Sequence, residues 1–139
     1  MIRLEHLNLV VKDIQISLAF YQAAFPEWII RDGGESEWYG KPRNWVHFGD
    51  HNLYLTLNDN GEQESRKLTG HQVGIAHFAF EVGDIEGLTH RLQNAGFKPR
   101  IRGPEHPFRQ NIYFIDPDGN EVEFVQYFSD LTAQRNLNI

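Results

Sequence analysis

The sequence predicts an α+β fold built from two tandem βαβββ modules, and three observations carry that reading. The segment HLNLVVKDIQISLAFYQAAF, which opens at His6, returns as HFAFEVGDIEGLTHRLQNAGF at His77, an offset of 71 residues (77 − 6). The same offset pairs Asp13 with Asp84, Ile14 with Ile85 and Gln22 with Gln93, so one register carries a strand, a helix start and a helix interior. In both copies a period-two apolar pattern gives way to a helical one, followed by short strand-like runs.

The opening strands alternate Leu7, Leu9, Val11 and Phe78, Phe80, Val82 on the core side. Their opposite faces carry His6, Asn8, Val10 and His77, Ala79, Glu81. Asp13 and Asp84 then stand where a helix N-cap is wanted, accepting from the first unpaired amides. In the first helix Ile14, Leu18, Tyr21 and Phe25 form one stripe that Pro26 ends; in the second, Ile85, Leu88, Leu92 and Ala95 do so before Gly96.

Three strands are expected after each helix: Trp28–Arg31, Trp45–Phe48 and Leu53–Leu57, then Lys98–Arg102, Asn111–Ile115 and Glu121–Tyr127. Residues 33–44 and 99–110 read as loops or irregular edges. The polar stretch at about 58–72 reads as a linker between module one, about 1–60, and module two, about 72–128, within one domain of residues 1–139 that ends in a tail at 129–139. In the turn DPDG, Pro117 sets φ, Asp118 is expected to supply a side-chain bond, and Gly119 accepts positive φ.

Composition limits the function classes. The chain has 13 basic and 19 acidic residues, a net charge of −6 and no basic run, which argues against a nucleic-acid partner. No apolar run approaches the roughly 20 residues of a membrane helix, and the amino terminus MIRLEHLNLV is not a secretory signal, so a cytoplasmic protein without a membrane partner is expected. With no cysteine, a transition-metal site must use imidazole and carboxylate.

Such a set is present. His6 and His77 hold equivalent places in the two copies, and Glu121 and Glu123 share one face of the last strand. Two imidazoles and one carboxylate form a 2-His-1-carboxylate arrangement that leaves coordination positions open for substrate. A single strand histidine is ordinarily a surface or hydrogen-bonded residue, and it is the shared register that singles out this pair. His51, His71, His90 and His106 read as solvated side chains, while His47 lies on an expected strand.

The stretches HLNLVVKDIQISLAFY, GIAHFAFEVGDI and YFIDPDGNEVEF resemble the vicinal oxygen chelate superfamily, also called the glyoxalase, bleomycin resistance and dioxygenase superfamily. The resemblance covers nearly the whole chain and implies a cup-shaped mixed sheet around one divalent ion (Zn, Fe, Ni, Co or Mn). It also implies a small-molecule substrate held through vicinal oxygens and a homodimer. The spacing of a Glu four residues after the turn glycine implies that Glu123 joins His6 and His77 as a ligand.

Superposing NLYLTL at 52 on NEVEFV at 120 sets Leu55 opposite Glu123, where glyoxalase I has a fourth ligand; His47 or Thr56 could take its place. The wording is closest to fosfomycin resistance-like and glyoxalase-like single-chain members, although GPEHPFRQN replaces the Ser-rich phosphonate loop and no potassium loop is legible. Asn8, Trp45, Arg109 and Tyr113 are then expected at the substrate, with Tyr113 and Glu121 as candidate acid–base groups. Arg100 and Arg102, like Arg109, are candidate partners for an anionic substrate.

The implied function is a metal-dependent isomerase, lyase, thiol transferase or dioxygenase. The alternative is a metal-free drug-sequestering protein of the bleomycin resistance type, with an aromatic groove from Trp38, Tyr39, Trp45 and Phe108.

Overall fold

The computed structural model describes all 139 residues, and the chain divides into two compact units, Met1–Glu64 and Ser65–Ile139. The first runs β1 (His6–Val10), α1 (Ile14–Ala24), β2 (Ile29–Trp38), β3 (Lys41–Gly49) and β4 (Tyr54–Asn58). The second runs β5 (Phe78–Glu81), α2 (Ile85–Asn94), β6 (Pro99–Arg102), β7 (Arg109–Ile115) and β8 (Glu121–Tyr127), followed by the one-turn α3 (Thr132–Arg135). Each unit is a βαβββ module, and together they make the α+β fold that the repeat predicts.

The sheet orders are β1-β4-β3-β2 and β5-β8-β7-β6. In both, the opening strand runs parallel to the last one, and the remaining neighbours are antiparallel. Each helix covers one face of its own sheet. Phe20, Tyr21, Phe48, Leu55 and Leu57 are buried in the first module, and Ile85, Leu88, Leu92, Ile112, Phe114, Val122 and Phe124 in the second. Removing most of such a side chain costs about 2–5 kcal/mol, so each small core holds its sheet in register.

Both helix starts are capped as expected. The Asp13 carboxylate accepts from the Gln15 and Ile16 amides at 2.8 and 3.1 Å, and that of Asp84 accepts from the Gly87 amide at 3.0 Å.

Two expectations need correction, and one needs an addition. Residues 33–44 form most of a long β2–β3 hairpin, turned by Tyr39 and Gly40 at φ 50° and 78°. Two positive φ values match the twist of the flanking strands. Every residue of β2 is exposed, so no apolar alternation betrays the strand, and pairing with β3 supplies the order. In the DPDG turn the addition is the buried Asp116, not singled out from the sequence, whose carboxylate accepts from the Asp118 amide and from both the amide and side chain of Asn120, each at 2.9 Å. Gly119 has φ 89°, as a residue without Cβ allows.

The second correction concerns the pairing register. Asn8 faces Thr56 and Ala79 faces Glu123, so Thr56, not Leu55, is the counterpart of Glu123. Leu55 pairs with Phe48 and is fully buried on the helix side, as Val122 is opposite Phe114. An ungapped alignment of the two final strands is one residue out, and in a strand that moves every side chain to the other face.

Candidate metal centre

The chemistry-bearing side chains of the second module gather on the sheet face turned away from α2. Val122 and Phe124 of β8 point into the core, which puts Glu121 and Glu123 together on the opposite face. His77, one residue before β5, stands beside both. Its Nε2 lies 3.2 Å from Glu123 Oε2, and its Nδ1 lies 3.7 Å from Glu121 Oε1.

Neighbouring strands fix these groups. The Asn111 side-chain amide, from β7, donates to Glu123 Oε1 at 3.0 Å and reaches the Tyr113 hydroxyl at 3.5 Å. The Tyr113 ring meets His77 edge-on, with centroids 5.5 Å apart. Arg100 Nη1, from β6, donates to Glu121 Oε2 at 2.5 Å. Burial, and after it the negative charge of Glu123, pushes the Tyr113 phenol above its ordinary pKa. Tyr113 therefore keeps its proton and can donate it.

Whether this arrangement suits a metal ion is a question of distance. Imidazole nitrogen and carboxylate oxygen bind zinc at about 2.0–2.2 Å, so two adjacent ligands of one ion lie about 2.8–3.6 Å apart across ligand angles from octahedral to tetrahedral. The His77–Glu123 separation of 3.2 Å falls inside that window. Glu121 faces the opposite ring nitrogen, so the three groups do not converge on one point, and the second module by itself offers two donors.

The first module presents a related face. His6 stacks on Tyr54 at 4.9 Å, and its Nδ1 lies 2.9 Å from Glu5 Oε1. The Tyr54 hydroxyl donates to the same oxygen at 3.1 Å, and the Arg31 guanidinium sits 4.4 Å from the centre of the Tyr54 ring. The His47 ring adjoins Tyr54 at 4.6 Å, and Trp45 adjoins His47 at 4.9 Å. Asn8 accepts from the Asn58 side chain.

The structure thus brings His77, Glu121, Glu123 and Tyr113 together, and it sets His6, Asn8 and Trp45 on β1 and β3 of the other module. Arg109 is engaged elsewhere: its Nη1 donates to the Arg135 and Leu137 carbonyls at 2.6 and 3.2 Å. Arg102 pairs with Glu86 of α2. Of the aromatic groups considered for drug binding, Trp38 and Tyr39 sit at the β2–β3 hairpin tip and Phe108 in the second module beside His106. Asn111 was not singled out from the sequence, although its place two residues before Tyr113 on the same strand puts both on one face. It also lines a groove of about 620 Å³ with Gly103, Pro104, His106, Arg109 and Phe128.

A family model described as the Glyoxalase/Bleomycin resistance protein/Dioxygenase superfamily matches residues 3–124. The chain belongs to this superfamily. It is 24% identical over 121 residues to the metallothiol transferase FosB of Bacillus licheniformis, an alignment covering 86% of this chain and 72% of that protein.

Among solved structures, this superfamily member resembles a glyoxylase/bleomycin resistance protein/dioxygenase domain from Frankia. Their TM-score is 0.72 at 23% identity, covering 91% of this chain and 98% of the other. It also resembles the fosfomycin resistance protein FosX from Listeria monocytogenes, in a mutant complexed with Mn(II) and a dihydroxypropylphosphonic acid. There the TM-score is 0.71 at 22% identity, covering 97% and 98% of the two chains. Likeness at these identities concerns the fold. No helix of the chain is long and apolar enough to cross a membrane.

Proposed function

We propose that this superfamily member is a metal-dependent enzyme that binds one divalent ion through His77 and Glu123, with His6 as the further imidazole ligand, and acts on a small substrate carrying two adjacent oxygens. The observation that carries the reading is the His77 Nε2–Glu123 Oε2 separation, which suits two ligands of one ion. The paired module-opening histidines supply the case for His6. Names of relatives lend support: one is a metallothiol transferase, and another holds Mn(II) beside a phosphonic acid.

When bound, the ion supplies Lewis acidity toward the two substrate oxygens, the step that isomerase, lyase, thiol transferase and dioxygenase chemistry can share. Asn111 holds the Glu123 carboxylate in place through Oε1, leaving Oε2 for the ion. Tyr113, protonated and beside Glu123, donates a hydrogen bond or a proton to substrate oxygen. Glu121 is occupied by Arg100, so it is better suited to orienting His77 than to carrying protons. The groove at Asn111 offers room for the rest of a small substrate. We further propose a C2 homodimer, since each sheet leaves its opening strand at an edge.

The test is elemental analysis of protein purified without added metal, then chelator competition with Zn, Ni and Mn. His77→Ala and Glu123→Ala should each weaken binding at least 100-fold on the scale of a lost ligand, and His90→Ala should leave it unchanged. Parent-like affinity in the ligand variants would overturn the chelate mechanism in favour of the drug-sequestering reading.

A further inference from the structure

The two modules share a detail outside the ligand set. The β2–β3 pairing shifts register between Ile30 and Asp32, and the β6–β7 pairing shifts between Pro99 and Ile101. Ile30 faces Phe48 as Pro99 faces Phe114, and Asp32 faces His47 as Ile101 faces Tyr113. The extra residue of each bulge is therefore an arginine, Arg31 in one module and Arg100 in the other. Bulges re-aim side chains, and here both arginines reach the first residue of the final strand, Tyr54 or Glu121.

The chemistry beyond that residue also converges. In the second module Arg100 holds Glu121, whose carboxylate faces His77 Nδ1. In the first, Arg31 lies over Tyr54, Tyr54 donates to Glu5, and the Glu5 carboxylate faces His6 Nδ1. The residues differ but the end point is related: a carboxylate on the Nδ1 side of the ring, hydrogen-bonded at 2.9 Å for His6 and at an ion-pair distance of 3.7 Å for His77, with Nε2 left for another partner. Metal-binding histidines are oriented in this way, by a carboxylate on the nitrogen that does not bind the ion.

We propose that Arg100 and Glu121 are positioning residues for His77, and that Arg31, Tyr54 and Glu5 form the corresponding brace for His6. This rests on the proposed metal reading. An ordinary surface ion pair contributes little, because solvent competes for both partners. Glu121 departs from that case: its side chain is 13% exposed, so Arg100 is the charge that keeps it anchored toward the imidazole.

The experiment uses the full chain with zinc. Competition titration would compare the parent with Arg100→Gln, Glu121→Gln and Tyr54→Phe, and with Arg100→Lys as the charge-retaining rescue. The binding nitrogen would be followed by 15N NMR of the His77 ring in the zinc form. Arg100→Gln and Glu121→Gln should lose about 10–100-fold in zinc affinity, with the His77 Nδ1 proton exchanging faster. Arg100→Lys should recover most of the loss, since Arg100 uses one nitrogen.

Glu121→Gln changes no volume and keeps the experiment readable if Arg100→Gln folds poorly. Tyr54→Phe should give a smaller loss through Glu5 and His6. A parent that binds zinc while both Gln variants bind as tightly would overturn the brace and leave the metal reading standing. A lysine variant as weak as the glutamine one would overturn it too, and a parent that binds no zinc would overturn both.

Discussion

Thr56 holds in the first module the place that Glu123 holds in the second: each pairs with the residue two after its module's opening histidine, and each faces the aromatic ring of the adjoining strand, His47 or Tyr113. The position usable for a further carboxylate is thus residue 56. Thr56→Glu should tighten zinc binding, because it adds an anionic oxygen to the His6 face, and since Thr56 is itself buried beside polar neighbours it should lower the metal-free stability by less than the core change at Leu55. Leu55→Glu should lower stability by several kcal/mol, because it buries an unpaired carboxylate in the core. Thermal melts beside zinc titrations of both variants check the pair, and equal melting temperatures would contradict the register.

Tyr113 should titrate above an ordinary phenol, and Glu123→Gln should bring it part of the way back by removing the charge while leaving the burial. The sign for stability follows from linkage. A phenol whose folded pKa is raised leaves stability intact below the unfolded value and erodes it as pH rises from there through the folded value. The alkaline fall in stability should be shallower in Glu123→Gln, measured by denaturant unfolding in steps above pH 9 to 10, with tyrosinate absorbance as the direct reading.

Asp116 closes the turn that launches β8, accepting three hydrogen bonds while buried. Asp116→Ala should cost about 2–3 kcal/mol, since it strands two amides in a partly covered site. Urea unfolding of the parent and the variant tests the assignment, and a loss below about 1 kcal/mol would refute it.

The parent should sediment and scatter light as a dimer at micromolar concentration. A monomer under those conditions would count against the proposed assembly and leave the His77–Glu123 pair untouched.

What was legible in the sequence follows from what repeats. His6 and His77, Asp13 and Asp84, and Ile14 and Ile85 recur at one spacing, and each helix carries an apolar stripe, so fold class and helix starts could be read directly. The final strands do not share that spacing, and without a gap Leu55 stood where Thr56 belongs. The pairing of His77 with Glu123 was accessible through the resemblance. The partners of Glu121 and Glu123, Arg100 and Asn111, were not, because hydrogen bonding across strands depends on a register that local pattern does not encode. The β2–β3 hairpin escaped for a different reason: a strand exposed along its whole length has no buried face to mark it.

That hairpin sets the order in which the first module comes apart. β2 contributes no side chain to the core, and its outer edge has no neighbouring strand. Its cross-strand hydrogen bonds can break and reform while Phe48, Leu55 and Leu57 stay packed. Protons on the amides nearest the Tyr39–Gly40 tip should therefore exchange with solvent by local fraying, orders of magnitude sooner than those of β4, which wait for the whole module to unfold.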